Sequence, residues 1–379
     1  MQCWSSGRLV LAFMLCAASS LAVFQAPVIA VFPVGLVATE LGHWFFLAPL
    51  LVALLPASRS FAGRAGTAIA LAACGLLISS VVRAQWVVAK LPAEMARVFS
   101  TTEDPARTPF SWKQLWFAPR DETMTADILE YSHLTGIPLK LRLYRCATRA
   151  PAPCILMVHG GGWNSGSPDE FPALQRHMAR NGYVVAAPEY RLSPASPWPA
   201  QREDVLAALR WLKEHAGEYG IDPQRFVLMG HSAGGQIAEA VAYGAHDPAI
   251  RGCIAFYSPA DLHYAYEFAR ADDILNSLKL VKEYMGGTPT EVRSNYDSAS
   301  GILLADASSP PTLLLHGRRD ELVWFRQSER LNQRLQELGV RHYFVRLPWA
   351  THAFFHTLNG PGGQIAVYAV DTFLNSVTR

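Results

Sequence analysis

From about residue 126 onward the sequence predicts an α/β architecture, a mostly parallel eight-stranded sheet flanked by helices, preceded by about three transmembrane helices. Three observations predict it. Short, mostly continuous apolar runs alternate with helix-length segments in the second part of the chain. Strands that are apolar toward both faces need helices on both sides of their sheet. The loops after several of these runs carry glycine, histidine and aspartate, and functional groups of such sheets gather at the carboxyl ends of the strands. Residues 9–89, by contrast, hold only Glu40, Arg59, Arg64 and Arg83 as charged groups.

That asymmetry separates a membrane part from a soluble part in a chain of 379 residues with 17% charged residues. A bilayer core is crossed by about 20 apolar residues, and spans are expected near 9–33, 36–56 and 66–88. The first run is longer than a signal-peptide core, and the bulky Leu15 argues against a lipid anchor at Cys16. The alternative is a set of core helices. His43, Trp44 and Trp86 would sit at interfaces, and Arg83 would reach out of the third span. Arg8, Arg59 and Arg64 place the N-terminus and second connection in the cytoplasm, so an odd span count sends the C-terminal domain outside; Arg83, Lys90 and Arg97 pull the other way. Residues 91–120 read as a linker leading into the soluble domain, with 110–117 as an aromatic docking face, and 121–379 as the domain itself. A net charge of +2 without a Lys/Arg block argues against nucleic acid. Of six cysteines, Cys3, Cys16 and Cys74 fall in the apolar part. Cys146, Cys154 and Cys253 remain, either as packed thiols or with a Cys146–Cys154 loop closure.

The strands are expected at 128–133, 139–144, 154–159, 183–187, 226–229, 253–257, 312–315 and 343–347. Helices are expected at 171–180, 200–214, 235–243, 329–337 and 364–376. After the fifth strand stands Gly230-His231-Ser232-Ala233-Gly234-Gly235. A G-x-S-x-G between strand and helix presents its serine on a sharp turn, which crowded neighbours would not permit. After the third strand stands His159-Gly160-Gly161-Gly162-Trp163, whose glycine amides can turn toward a developing oxyanion. The amides of Gly161, Gly162 and Ala233 are the candidates, with Gly160 as a further one. A phosphate loop would need a pattern that is absent. A serine nucleophile requires a base and an orienting acid. Asp320 follows the seventh strand and His352 the eighth, giving the chain order Ser232, Asp320, His352. His356, His342 and His316 are rival bases and Glu321 a rival acid.

With these motifs in order, residues 126–379 resemble the α/β-hydrolases related to hormone-sensitive lipase. The shared elements are His159–Trp163, Glu189-Tyr190-Arg191-Leu192-Ser193-Pro194, Gly230–Gly235, the Gly317–Asp320 segment and His352. The resemblance implies hydrolysis of carboxylic esters without metal or organic cofactor and does not fix the substrate; anchoring near a bilayer adds a lipid-like ester to the small-molecule ones. Glu189 replaces the commoner aspartate, which is expected to alter only local support. Residues 1–118 resemble no part of the soluble enzymes, so a cap is sought in 261–307, where Tyr264, Tyr266, Phe268 and Tyr284 would line a pocket or pack the cap. Formamidases, amidases and acyltransferases would share the same residues. A membrane-anchored binding protein would be expected to lose one of the three, and a transporter would carry intramembrane charge pairs.

Overall fold

The computed structural model describes every residue except 1, 57–59, 101–106, 118–123, 134, 135, 137 and 147–150, and of 2–5 it describes the backbone alone. Eight strands form one sheet in the order β1-β2-β4-β3-β5-β6-β7-β8. They are β1 (Asp127–Ser132), β2 (Leu139–Tyr144), β3 (Ala152–Val158), β4 (Val184–Pro188), β5 (Ile221–His231), β6 (Ile250–Phe256), β7 (Thr312–Gly317) and β8 (His342–Leu347). The β1–β2 and β2–β4 pairs are antiparallel and the others parallel. Strands β3, β4, β5, β6 and β7 are buried over most or all of their length, as their unbroken apolar runs require. Successive side chains alternate faces: Leu156, Val158 and Leu228 pack into one core layer, Ile155, Met157 and Val227 into the other.

The helices are α1 (Gln2–Ser20), α2 (Phe32–Glu40), α3 (Gly42–Phe45), α4 (Leu47–Leu54), α5 (Phe61–Val88), α6 (Leu91–Phe99), α7 (Trp112–Trp116), α8 (Pro172–Arg180), α9 (Ala200–Glu214), α10 (Ala216–Tyr219), α11 (Ala233–Gly244), α12 (Leu262–Glu267), α13 (Ser277–Met285), α14 (Arg293–Ala299), α15 (Gly301–Leu304), α16 (Arg326–Glu337) and α17 (Pro361–Val377). Residues of α9 and α11 fill the layer on one face of the sheet, and residues of α8 and α17 the other. Leu91, Met95 and Phe99 of α6 join that second layer, and Phe99 meets Phe373 edge-on at 5.1 Å.

Three separate membrane spans are not what residues 1–90 build. Among the described residues one helical stretch, Phe61–Phe99, is long and apolar enough to cross a bilayer. The pair Ile29–Glu40 and Gly42–Leu54 reaches that length only as one element bent by 83°, and Ser6–Ser20 is shorter. The extracytoplasmic placement, which rested on an odd count of three, loses its basis with it. The charges behave differently too. Arg8 does not flank a span: it is buried, and donates to the carbonyls of Val52 (2.8 Å) and Gly63 (3.1 Å) and to Thr67 Oγ1 (2.8 Å). Arg83 folds back onto the Ala22 carbonyl at 2.9 Å instead of reaching outward. His43 is buried with Nε2 2.8 Å from the Leu115 carbonyl, so it is no interfacial anchor, whereas Trp44 and Trp86 are exposed. An ionic or polar group inside apolar packing needs partners, and nearby carbonyls supply them. Arg59 and residues 101–106 and 118–120 of the 91–120 linker lie outside the described residues.

In the 110–117 segment, Phe110, Leu115 and Trp116 pack with Val81 and Ile78 of α5, while Trp112 and Phe117 stay exposed. Cys154 is a buried free thiol within β3, so the Cys146–Cys154 closure is not made. Glu189 supports its own corner of the sheet: Oε2 accepts the Lys140 amide at 3.0 Å, and its carbonyl accepts the Tyr131 hydroxyl at 2.5 Å.

Candidate active site

Strand β5 runs directly into α11 through Ser232, which sits at φ 53° and ψ −126°. A side-chain-bearing residue reaches this region only under strain, of order 1–3 kcal/mol, when the surroundings impose it. They do so by contact. A Cβ on Gly230 or Gly234 would overlap backbone of α11 or of the β3 end, and one on Gly235 would stand 2.8 Å from Ser258. The Ser232 amide donates to the Phe256 carbonyl at 2.9 Å, which pins the turn to β6.

The β3–β5 register pairs Val158 with Gly230, so the loop after β3 lies beside the Ser232 turn. Gly161 and Gly162 take φ of 100° and 58°, a backbone that L side chains disfavour. Among the described residues the amides of Gly161 and Gly162 have no acceptor, and both glycines line the same cavity as Ser232 and Ala233. Gly160 is different: its N–H is already shared between His231 Nε2 (3.2 Å) and Glu170 Oε2 (3.3 Å). Trp163 turns inward, donating to Gln236 Oε1 at 3.0 Å and stacking on Tyr284 at 4.1 Å.

His352 Nδ1 lies 2.6 Å from Asp320 Oδ2, both groups buried. The other oxygen, Oδ1, accepts the amides of Leu322 (2.9 Å) and Val323 (2.8 Å). His316, weighed from sequence as a rival base, instead brings Nε2 to 3.2 Å from Oδ2 and is wholly buried. It is a second imidazole serving Asp320. Burial alone would raise the Asp320 carboxyl, but the charges and hydrogen bonds of His352 and His316 outweigh it and hold the group below the usual carboxylate range. Glu321 lines the cavity but takes no histidine partner. His342 is tied to the Val340 carbonyl at 2.7 Å, away from the site. His356 lines the cavity without touching Asp320. Tyr257, which sequence reasoning missed, is buried at φ 37° with its ring 4.1 Å from that of His352. No local motif marks it, because its role comes from the fold alone.

These groups open into a cavity of about 870 Å³. Its far wall comes from the expected cap region, from α12, α13 and the segment that joins them. Tyr264 and Phe268 line it together with Leu275 and Leu280. Tyr266 and Tyr284 do not: Tyr266 packs on Tyr296 and Tyr284 is buried under Trp163. Trp324 completes an aromatic rim, 5.2 Å from Phe268. The described residues hold no group of three or more metal-binding side chains.

Behind the glycine loop, burial holds the His159 imidazole neutral, pushed down to about 4 from an ordinary 6.5 despite its bond to the Gly160 carbonyl. The unfolded chain protonates this histidine near 6.5, so between pH 6.5 and 4 the unfolded state binds more protons. The native state is therefore unpenalised above about pH 6.5 and loses stability as pH falls toward 4, by at most about 3 kcal/mol from this group. Denaturant unfolding at pH 7 and pH 5 is expected to show this loss, and His159→Gln to reduce it. An unchanged pH slope in the variant would contradict the assignment.

Comparison with known proteins agrees with this fold. Residues 141–335, just over half the chain, match the BD-FAE family. A probable carboxylic ester hydrolase, LipM, of Mycobacterium tuberculosis is 30% identical over 242 residues, covering 60% of this chain and 54% of LipM. Esterase LipQ of the same organism is 30% identical over 227 residues, covering 56% and 54%. The chain thus spans about half the length of the curated relatives it matches. Among solved structures, the propionate-bound thermophilic esterase Est2 of Thermogutta terrifontis superposes with a TM-score of 0.56 at 25% identity, covering 68% of this chain and 96% of that one.

Proposed function

The chain belongs to the BD-FAE family, and from that premise we propose that it is a serine hydrolase cleaving carboxylic esters, with Ser232 as nucleophile, His352 as base and Asp320 as acid. One observation carries the reading: a strained Ser232 at a strand–helix turn opens into the same cavity as His352, whose far nitrogen is bonded to a buried carboxylate. The esterase names of LipM, LipQ and Est2 support it.

In this mechanism His352 Nε2 takes the Ser232 proton as Oγ attacks the ester carbonyl, and the Asp320 carboxylate stabilises the imidazolium. The oxyanion accepts hydrogen bonds from the Gly161, Gly162 and Ala233 amides. The proton passes to the departing alkoxide, giving alcohol and acyl-enzyme. Water then attacks the acyl group with His352 again as base, releasing the acid and free Ser232. The apolar cap and aromatic rim favour an apolar acyl or alcohol group.

The same proposal assigns residues 1–90 as the membrane-associated part, 91–120 as a connecting segment and 121–379 as the catalytic domain. Phe13, Phe24, Phe45, Leu51, Leu54, Phe61 and Trp86 leave much of their surface exposed within one region, which suits a lipid surface. Labelling of carbonate-washed membranes with a fluorophosphonate tests both parts. The adduct is expected on Ser232 in that fraction and is expected to disappear in His352→Ala. No adduct on Ser232 in folded protein would refute the hydrolase reading, and recovery of the labelled protein in the wash would refute the membrane one.

A further inference from the structure

We propose that Glu40, at the end of α2, is a positioning residue for hydrolysis, through which the N-terminal helices hold the loops bearing His352 and Asp320. The proposal rests on the serine hydrolase reading above. Glu40 is 2% exposed, and both of its carboxylate oxygens are committed to the catalytic domain. Oε1 accepts the Trp349 indole N–H at 3.2 Å, and Oε2 accepts the Gly362 amide at 2.7 Å. The receiving site is shaped for it: a Cβ on Gly360 or Gly362 would stand 2.6 or 2.8 Å from a Glu40 carboxylate oxygen. Trp349 is fully buried, three residues before His352 in the loop after β8.

Neighbouring contacts run between the same partners. Arg319, adjacent to Asp320, donates from Nη1 to the Trp349 carbonyl at 3.3 Å and from Nη2 to the Leu21 carbonyl at 3.1 Å and the Phe24 carbonyl. Gln25 Nε2 donates to the Asp320 carbonyl at 3.3 Å. Residues 21–40 therefore hold the chain on the approach to the base and beside the acid. Among the described residues none before Gly161 lines the cavity, so this layer acts on the reacting groups through the loops and not on the substrate. Small displacements of a catalytic group cost rate steeply, up to about a hundred-fold per ångström.

The test uses the full chain in detergent micelles with p-nitrophenyl acetate, active sites being counted by fluorophosphonate labelling. Glu40→Gln keeps the shape but turns an amide NH2 toward either the indole or the Gly362 N–H, two donors face to face. Its kcat is expected to fall about ten-fold or more with KM within about two-fold, and the labelling rate to fall by the same factor. Trp349→Phe keeps a ring in the core without the N–H and is expected to lose less. The double variant is expected to be no slower than Glu40→Gln, because both changes break one contact. Wild-type kcat per labelled site in both single variants, whatever their melting temperature, would overturn the proposal. Should Glu40→Gln not fold, wild-type kcat in Trp349→Phe overturns it alone. A wild type that neither hydrolyses nor labels would defeat the hydrolase reading itself, a result distinct from an active wild type with indifferent variants.

Discussion

Replacing Ser232 by alanine is expected to lower kcat by about four to six orders of magnitude while leaving the fold intact, because the proposed nucleophilic oxygen on the strained turn is gone. Residual turnover above about a thousandth of wild type, measured on protein with an unchanged far-ultraviolet spectrum, would move the nucleophile elsewhere. The same position makes a second, opposite expectation about stability. Ser232 holds φ 53° and ψ −126°, a backbone that glycine adopts without the Cβ penalty. Ser232→Gly is therefore expected to be equally inactive yet more stable, by about 1–2 kcal/mol, less the entropy that glycine adds to the unfolded chain. A melting temperature below that of Ser232→Ala would show that the turn is relaxed rather than imposed. Function and stability part company here because the neighbours that force the turn do so whether or not a hydroxyl is present.

Asp320→Asn is expected to cost about 10⁴-fold in kcat with little change in KM. All four groups that meet this carboxylate are donors: the amides of Leu322 and Val323 on Oδ1, His352 and His316 on Oδ2. An asparagine must aim its NH2 at two of them, leaving His352 free to take the other tautomer. The stability cost, about 1–3 kcal/mol for the lost charged acceptor, depends on pH in a defined sense. The folded pKa of Asp320 lies below its ordinary value of 3.8, so the carboxylate's contribution is whole above that value and is lost as pH falls through the folded one. The gap between wild type and variant in denaturant unfolding is expected to be constant from neutral pH down to about 5 and to close in more acid solution. A variant retaining more than a tenth of kcat would remove Asp320 from the mechanism.

Much of this was legible in the chain. Six strands follow from mostly continuous apolar runs and the first two from alternation, and the candidates Ser232, Asp320 and His352 each stand in the segment that follows a strand. The helices were misjudged mainly at their ends: α11 begins at Ala233 and α16 at Arg326, because the first turn of a helix need not show the apolar period. His316 was set aside as a base because it ends a strand, but its contact with Asp320 was not legible. It closes β7, and its position in the chain says nothing of the Asp320 oxygen four residues on that curls back to meet it. Tyr266 and Tyr284 show the same limit within the cap. Aromatic composition marked them as pocket or packing, and only the stacking of Tyr284 on Trp163 and of Tyr266 near Tyr296 separates them from Tyr264 and Phe268.

The N-terminal region shows where reading from composition stops. Apolar runs of 21 to 25 residues look alike whether they cross a bilayer singly, bend, or pack on a neighbouring domain. Arg8, His43 and Arg83 read as flanking or interfacial charges, and each is instead spent on a carbonyl inside the helical layer. What the sequence by itself determined is what neighbours along the chain enforce: alternating strands and helices, glycine-permitted turns, and the chain order of the candidate residues Ser232, Asp320 and His352. Tertiary structure alone decided which histidine faces Asp320, which tyrosines line the cavity, and that Glu40 meets Trp349 and Gly362. The reason is physical: a turn is set by sterics within a few residues, whereas a buried polar group is partnered by whatever packing brings within three ångströms, often hundreds of residues away.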